Sequence, residues 1–199
     1  NRIYYYMRNG HNGVNGDYLD AASDDALSVI SSESDVYKLA IGRYSASNLI
    51  NSDMIWSDPY LVIRRVNILL SGIDVVPFNT TYTDALGNTR RLNDSMKAEA
   101  RFLRALSYYW LVTEWGDVPL VLKVLESTEE VRANNYRRPK AEIYQAIFDD
   151  LKYVTESPLP DVQPASACGK VSKAAAWALW GKALLQQACD EDFIGSKSE

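Results

Sequence analysis

The chain has 199 residues, of which 47% are hydrophobic and 24% charged, a composition typical of a folded globular protein rather than a disordered one. Its formal net charge of −5 argues against a nucleic-acid-binding protein, because such proteins concentrate Lys and Arg on one face and the sequence has no such run. The sequence also lacks the roughly 18 consecutive apolar residues of a membrane span, and its length favours one domain over residues 1–199.

The first segment combines a tyrosine cluster with an Asn- and Gly-rich stretch from Asn9 to Asp17, which predicts a surface loop. A second polar stretch covers residues 45–53. It leads into a predicted helix whose first turn contains Pro59, where the missing N–H does no harm. The apolar residues of this helix approach helical spacing: Ile55, Tyr60, Ile63, Val66 and Leu70.

The segment from Lys97 to Val121 predicts a long helix with large apolar groups on more than one face, which neighbouring elements must enclose. Residues 76–92 before it are predicted to form a loop, and Asn93 or Asp94 to cap its first turn. Gly116 is predicted as a left-handed residue at its end, because Pro119 cannot continue the helix.

Two more long helices follow. The first is predicted from Lys140 to Glu156, after a polar connector at residues 129–139, with one apolar stripe of Ile143, Ile147, Leu151 and Val154. The second follows Ser172, its predicted cap. Small residues on this helix are predicted to face a neighbouring helix and larger ones to fill the other side; these are Ala174, Ala178 and Gly181, and Trp177, Trp180 and Leu184.

Long helices thus alternate with polar loops, and no run shows the alternating Val, Ile and Thr typical of a sheet. The sequence predicts an all-α fold of tetratricopeptide-like stacked helical hairpins joined by irregular loops.

Four blocks of the sequence resemble, in order, those of SusD/RagB-type nutrient-binding proteins. They are SDDAL at residues 23–27, the segment 55–74, the block AEARFLRALSYYWLVTEWGDVPLV at residues 98–121, and residues 141–160 together with 169–185. Several blocks in the same order are more specific than one motif.

This resemblance implies a protein that is lipid-anchored at the outer membrane, faces the cell surface and captures an oligosaccharide or another nutrient. It implies a TonB-dependent, SusC-like transporter as partner, and neither enzymatic activity nor a cofactor. Family members are longer, so we expect the chain to be their helical N-terminal part, without their C-terminal half or their lipidated cysteine. Membrane attachment would then require an anchor outside this chain.

Sugar binding requires flat rings against C–H faces, with amides and carboxylates to bond hydroxyl groups. Two segments combine these groups. The candidate ligand-binding residues are Asn48, Asn51, Asp53 and Trp56 in one, and Tyr5, Tyr6, Asn9 and His11 in the other. Two alternatives remain open: Trp56 as a core residue, and a helical-repeat scaffold that binds a protein instead of a glycan.

No catalytic residue is predicted. The adjacent pairs Asp24/Asp25 and Asp149/Asp150 point in different directions on a helix and cannot flank one bond. Asp24 or Asp25 is expected to cap a helix or to pair with Arg104, a cation among apolar neighbours.

No metal site is predicted either, because His11 is the only histidine and the Asn9–Asp17 stretch lacks the spacing of a calcium loop. The sequence leaves open whether Cys168 and Cys189 form a disulfide.

Overall fold

The computed structural model describes residues 13–14, 17–26, 35–43, 45, 56–75, 80–84 and 86–190. Two compact units divide the chain, Asn1–Tyr60 and Leu61–Glu199, and the boundary falls in the first turn of a helix. The single domain inferred from the sequence stays a prediction.

The first unit contains a small hairpin and a short helix. Strands β1 (Gly13–Val14) and β2 (Asp17–Tyr18) are antiparallel, with Val14 opposite Asp17. They lie at the end of the segment predicted as a loop. A single 3₁₀ turn follows at Leu19–Ala22, and helix α1 spans Asp35–Ala40. Ala21 and Val36 pack together as a small buried cluster.

Helix α2 spans Asp58–Gly72, which confirms the predicted helix with Pro59 in its first turn. Val62, Ile63 and Val66 are buried, at the spacing that places them on one helical face.

A second hairpin occupies the predicted loop at residues 76–92. Strands β3 (Thr81–Thr83) and β4 (Thr89–Arg91) pair in antiparallel register, with Tyr82 opposite Arg90. The chain passes from β4 directly into helix α3, Leu92–Trp115. A strand that is already hydrogen-bonded therefore sets the start of the helix, and Leu92 N donates to Thr80 O at 3.0 Å.

The predicted caps of α3 are wrong. Asn93 and Asp94 lie inside the first turn. The residue at the cap position, before Leu92, is Arg91, and its side chain makes no capping hydrogen bond. The Asn93 amide nitrogen donates instead to Ile73 O at 3.0 Å, which ties the start of α3 to the end of α2. Gly116 closes the helix at a φ of 69°, so its predicted positive φ is confirmed.

Helix α4, Thr128–Asn134, replaces the predicted polar connector. The sequence contained a signal for it: Ser127 Oγ accepts from Glu130 N at 3.1 Å, and Glu130 Oε2 accepts from Glu126 N at 2.8 Å. A serine followed three residues later by glutamate is typical of a helix start.

Helix α5 spans Lys140–Glu156 as predicted, and its predicted stripe, Ile143, Ile147, Leu151 and Val154, is fully buried. Helix α5 runs antiparallel to α3. At one end Lys140 N donates to Asp117 Oδ1 at 3.0 Å, and at the other the Arg101 guanidinium lies 4.1 Å from the centre of the Tyr153 ring.

Helix α6, Lys173–Cys189, packs against α5 and also contacts α3. Ser172 Oγ accepts from Ala175 N at 3.2 Å, so the predicted cap is confirmed. Lys140 Nζ, at the start of α5, contacts both Asp190 oxygens at 2.8 Å just past the end of α6. These two helices are therefore also antiparallel.

The predicted packing face of α6 is wrong. Its buried residues are Ala176, Leu179 and Ala183, whereas the small residues predicted to face a neighbouring helix are exposed, namely Ala174, Ala178 and Gly181. Trp177 is 59% exposed. The buried Ala-Leu-Ala stripe, at helical spacing, also allows the neighbouring helix to approach closely.

The protein is mostly helical, with stacked antiparallel helices, which confirms the predicted fold class. In the part of the chain that the structure describes, no helix is long and apolar enough to cross a membrane.

Candidate functional site

Trp56 and Tyr60 form a ring pair at the start of α2. Tyr60 lies in the first turn, four residues after Trp56, and the ring centroids are 5.1 Å apart with planes tilted by 55°. Both residues are half-buried. The buried Pro59 between them fixes the backbone φ there. The pair thus offers an apolar ring surface, which suits the C–H faces of a sugar.

Trp56 is the only one of the eight candidate ligand residues within the described ranges. The other seven, Tyr5, Tyr6, Asn9, His11, Asn48, Asn51 and Asp53, lie outside them. The ligand site formed by these eight residues stays a prediction.

Arg104 is paired with Asp150, so the expected pairing of Arg104 with Asp24 or Asp25 is wrong, and the alternative that one of these two residues caps a helix stays a prediction. Arg104 Nε donates to Asp150 Oδ2 at 2.7 Å and Nη2 to Oδ1 at 2.8 Å, a two-pronged contact between buried side chains of α3 and α5. Asp24 and Asp25 are exposed. Helix packing brings residues far apart in sequence together, which sequence spacing cannot reveal.

The same arginine reaches α2 and an extended segment after α3. Its Nη1 donates to Asn67 Oδ1 at 2.7 Å, and Asn67 Nδ2 donates to Val121 O at 3.0 Å and Lys123 O at 3.2 Å. The buried Tyr108 hydroxyl donates to Val121 O at 3.0 Å and accepts from Val121 N at 2.7 Å. Burial raises the Tyr108 pKa above its usual range. This network holds the segment against the helices and provides hydrogen-bond partners for Val121 N, Val121 O and Lys123 O.

The comparison with known sequences covers most of the chain. Residues 8–185 match the sequence model of a family described as SusD-like, starch-binding and associating with the outer membrane. The chain belongs to the SusD-like family.

Individual relatives agree with this membership. The SusD-like chain is 32% identical over 148 residues to SusD-like protein P25 of Formosa agariphila, and the match covers 74% of this chain and 26% of the relative. SusD-like protein P2 of the same organism is 34% identical over 122 residues, covering 61% of this chain and 22% of the relative.

Solved structures share the fold. A laminarin-binding SusD-like protein matches with a TM-score of 0.75 at 28% identity, over 97% of this chain and 40% of that chain. A SusD-like carbohydrate-binding protein from Bacteroides fragilis matches with a TM-score of 0.65 at 27% identity, over 84% of this chain and 30% of that chain. The SusD-like chain therefore spans less than half of the length of these relatives.

The two members of the acidic pair Asp149/Asp150 of the SusD-like chain lie in different environments. Asp149 is exposed and accepts from Gln145 Nε2 at 2.8 Å, whereas Asp150 is buried in its pair with Arg104. Among the described residues, no group of three or more His, Cys, Asp or Glu side chains could hold a metal ion. Cys168 and Cys189 are both exposed and are not joined to each other.

Proposed function

We propose that this SusD-like chain is part of a cell-surface protein that binds an oligosaccharide without changing it chemically. Membership in a family described as starch-binding supports this function, as does the shared fold with a laminarin-binding protein. Because the relatives are much longer, other segments of such a protein are expected to contribute to its ligand surface.

The observation that carries the proposal is the Trp56–Tyr60 pair. Its rings are half-buried, so each retains some surface for a ligand, and the centroid separation of 5.1 Å makes a compact apolar platform. Amides and carboxylates of the preceding polar segment, Asn48, Asn51 and Asp53, are proposed to bond sugar hydroxyl groups. Affinity should be modest, because hydroxyl groups exchange water for protein with little net gain in free energy.

We further propose that the captured oligosaccharide is delivered to a TonB-dependent, SusC-like transporter at the outer membrane. Membrane attachment would occur through a lipid anchor. Co-purification of the transporter with this protein from outer membranes would test this partnership. A purified protein that carries no transporter would contradict it.

Isothermal titration calorimetry tests oligosaccharide binding directly. The 199-residue chain would be titrated with laminarin-derived and xyloglucan-derived oligosaccharides. Trp56→Ala should weaken binding roughly tenfold, because it removes the larger ring of the platform. Tyr136→Ala is the matched control, since Tyr136 is an exposed ring that lies against Arg138 in the other unit.

The outcomes separate the two functions that the sequence left open. Absence of heat with every sugar would contradict oligosaccharide binding by this chain and favour the protein-binding scaffold. Equal binding by Trp56→Ala and the wild type would remove Trp56 from the site.

A further inference from the structure

A second candidate site lies in the Leu61–Glu199 unit, away from the residues considered so far. A cleft of about 460 Å³ separates the β3–β4 hairpin from the connection between α5 and α6. Its apolar lining includes Leu86 on the hairpin, and Leu159, Pro160 and Val162 on the connection. Leu159 and Pro160 are buried, so the floor of the cleft is fixed by the core.

Four polar side chains also line this cleft: Asn88, Arg90, Asp161 and Lys173. Within the described part of the chain, the Lys173 ammonium and the Asp161 carboxylate form no hydrogen bond or ion pair with another side chain. The Arg90 Nε is bonded to Asp84, and its two terminal nitrogens have no described partner. The cleft therefore offers donors and acceptors side by side over an apolar floor.

Asp84 holds the hairpin side of the cleft in place. Its Oδ1 accepts from Leu86 N at 2.9 Å and Asn88 N at 2.8 Å, and its Oδ2 pairs with the Arg90 guanidinium. On the opposite side, Pro160 O and Asp161 O accept from the first two amides of α6, at 3.0 and 2.9 Å. Both walls are thus set by hydrogen bonds within the fold.

An exposed ring continues this surface along α6. Trp177 lies four residues after Lys173, which puts the two residues on one face of the helix, a spacing at which Cβ atoms are about 6 Å apart. The Trp177 ring stacks on Trp180 at 5.4 Å and 14°, and Trp180 stacks on Phe148 of α5 at 6.1 Å and 14°. With one face against Trp180 and 59% of the residue exposed, Trp177 presents its other face to solvent.

The chemistry of this surface favours a neutral saccharide. The cations Arg90 and Lys173 are balanced by the carboxylates Asp84 and Asp161, so the cleft has no excess charge to attract an anion. A sugar hydroxyl is both donor and acceptor and can use both kinds of group. An exposed indole face stacks on the C–H face of a pyranose ring.

We propose that the cleft and Trp177 form a second binding site for a neutral oligosaccharide, with one sugar in the cleft and the next over the Trp177 ring. This inference rests on the proposed function and adds a site to it. The site would combine polar residues of a hairpin and of a helix start with an indole ring that is held in place by its stack on Trp180 and Phe148.

Calorimetry with laminarin-derived oligosaccharides of increasing length tests the second site. Trp177→Ala and Lys173→Met should each weaken binding at this site roughly tenfold and reduce the number of sugars bound per chain. Trp177→Phe, which keeps a flat ring, should restore most of the loss. Leu185→Ala is the matched control, because Leu185 is an exposed apolar residue farther along α6.

The results distinguish this inference from the function on which it rests. Suppose that the wild type binds sugar and Trp56→Ala weakens that binding, while Trp177→Ala and Lys173→Met leave the dissociation constants and the number of bound sugars unchanged. That result would refute the second site and leave the proposed function standing. If the wild type binds no sugar, both fall. Sedimentation that shows a dimer dissociated by Trp177→Ala would also overturn the proposal, because the ring would then face another copy of the chain.

Discussion

Arg104 shows how one buried side chain connects elements distant in sequence. Replacing it with methionine should lower the free energy of unfolding by about 3 kcal/mol, because the buried Asp150 charge would keep only its longer contact with Arg101 Nη1, at 3.5 Å. The double variant Arg104→Met/Asp150→Met should recover much of this loss. Chemical denaturation followed by circular dichroism measures the free energy of unfolding of both variants.

Lys97→Met is the control, at a more exposed pair with Asp74, and should lower the free energy of unfolding by about 0–1 kcal/mol. If Arg104→Met and the double variant Arg104→Met/Asp150→Met lose the same free energy of unfolding, the buried Asp150 charge is not the cause of the loss.

Tyr108 tests the other half of the same network. Tyr108→Phe removes the hydroxyl that bonds both the N–H and the C=O of Val121. We expect a loss of about 1–2 kcal/mol in the free energy of unfolding, because the Val121 N–H would lose its acceptor, whereas Val121 O would keep the Asn67 amide as donor. Tyr136→Phe, at an exposed ring, is the control for loss of a hydroxyl. Identical stabilities of the two variants would show that water replaces the Tyr108 hydroxyl without cost.

At the residue scale, the sequence indicated that Arg104 needs a partner but could not identify it. The choice between Asp24, Asp25 and Asp150 depends on which helices pack together, and adjacent carboxylates such as Asp149 and Asp150 look alike in sequence. Their environments differ because only Asp150 faces α3.

The β3–β4 hairpin depends on the ionised form of one carboxylate. The Arg90 hydrogen bond, together with backbone N–H groups of Asn88 and Leu86, lowers the Asp84 pKa to about 2. A lowered pKa stabilises the fold above the unfolded value near 4, and this contribution is lost as pH falls towards 2. Asp84→Asn should therefore be less stable than the wild type at pH 5. The difference in unfolding midpoint should disappear near pH 2; a constant difference across this range would exclude the proposed role of ionisation.

At the element scale, periodicity located α2, α3, α5 and α6, since each carries a long apolar pattern. It missed the β3–β4 hairpin because strands of three residues are too short to show alternation. It also assigned the wrong face of α6 to the interior. Trp177 is large and apolar, yet it is exposed, whereas Ala176 and Leu179 are buried. The position of α5 decides which of the two faces of α6 is covered.

Burial of phenol groups links the core to alkaline stability of the whole molecule. Desolvation raises the Tyr144 pKa to about 12, and Tyr108 is also shifted upward. Because the folded state retains these protons, its stability is complete below the unfolded pKa near 10 and falls as pH rises towards 12. Phenolate absorbance should show a late step that coincides with loss of the helical circular dichroism signal. The variant Tyr108→Phe/Tyr144→Phe should lose part of that step; an unchanged titration would contradict their burial.

At the scale of the whole molecule, the order of sequence blocks predicted the family, and helical periodicity predicted the class of fold. The proposed ligand surface was less accessible to sequence reasoning. Ring-and-amide segments are common in loops, whereas the cleft beside Lys173 arises only when the hairpin and the α5–α6 connection are brought together.

The pairing of Arg104 with Asp150 also constrains how the protein is made. The two residues are 46 positions apart, so the arginine emerges from the ribosome before the carboxylate that neutralises it has been synthesised. Until α5 arrives, α3 must keep its guanidinium hydrated and leave its apolar surface uncovered. A nascent chain paused between these two points therefore exposes the apolar face of α3 that α5 later covers.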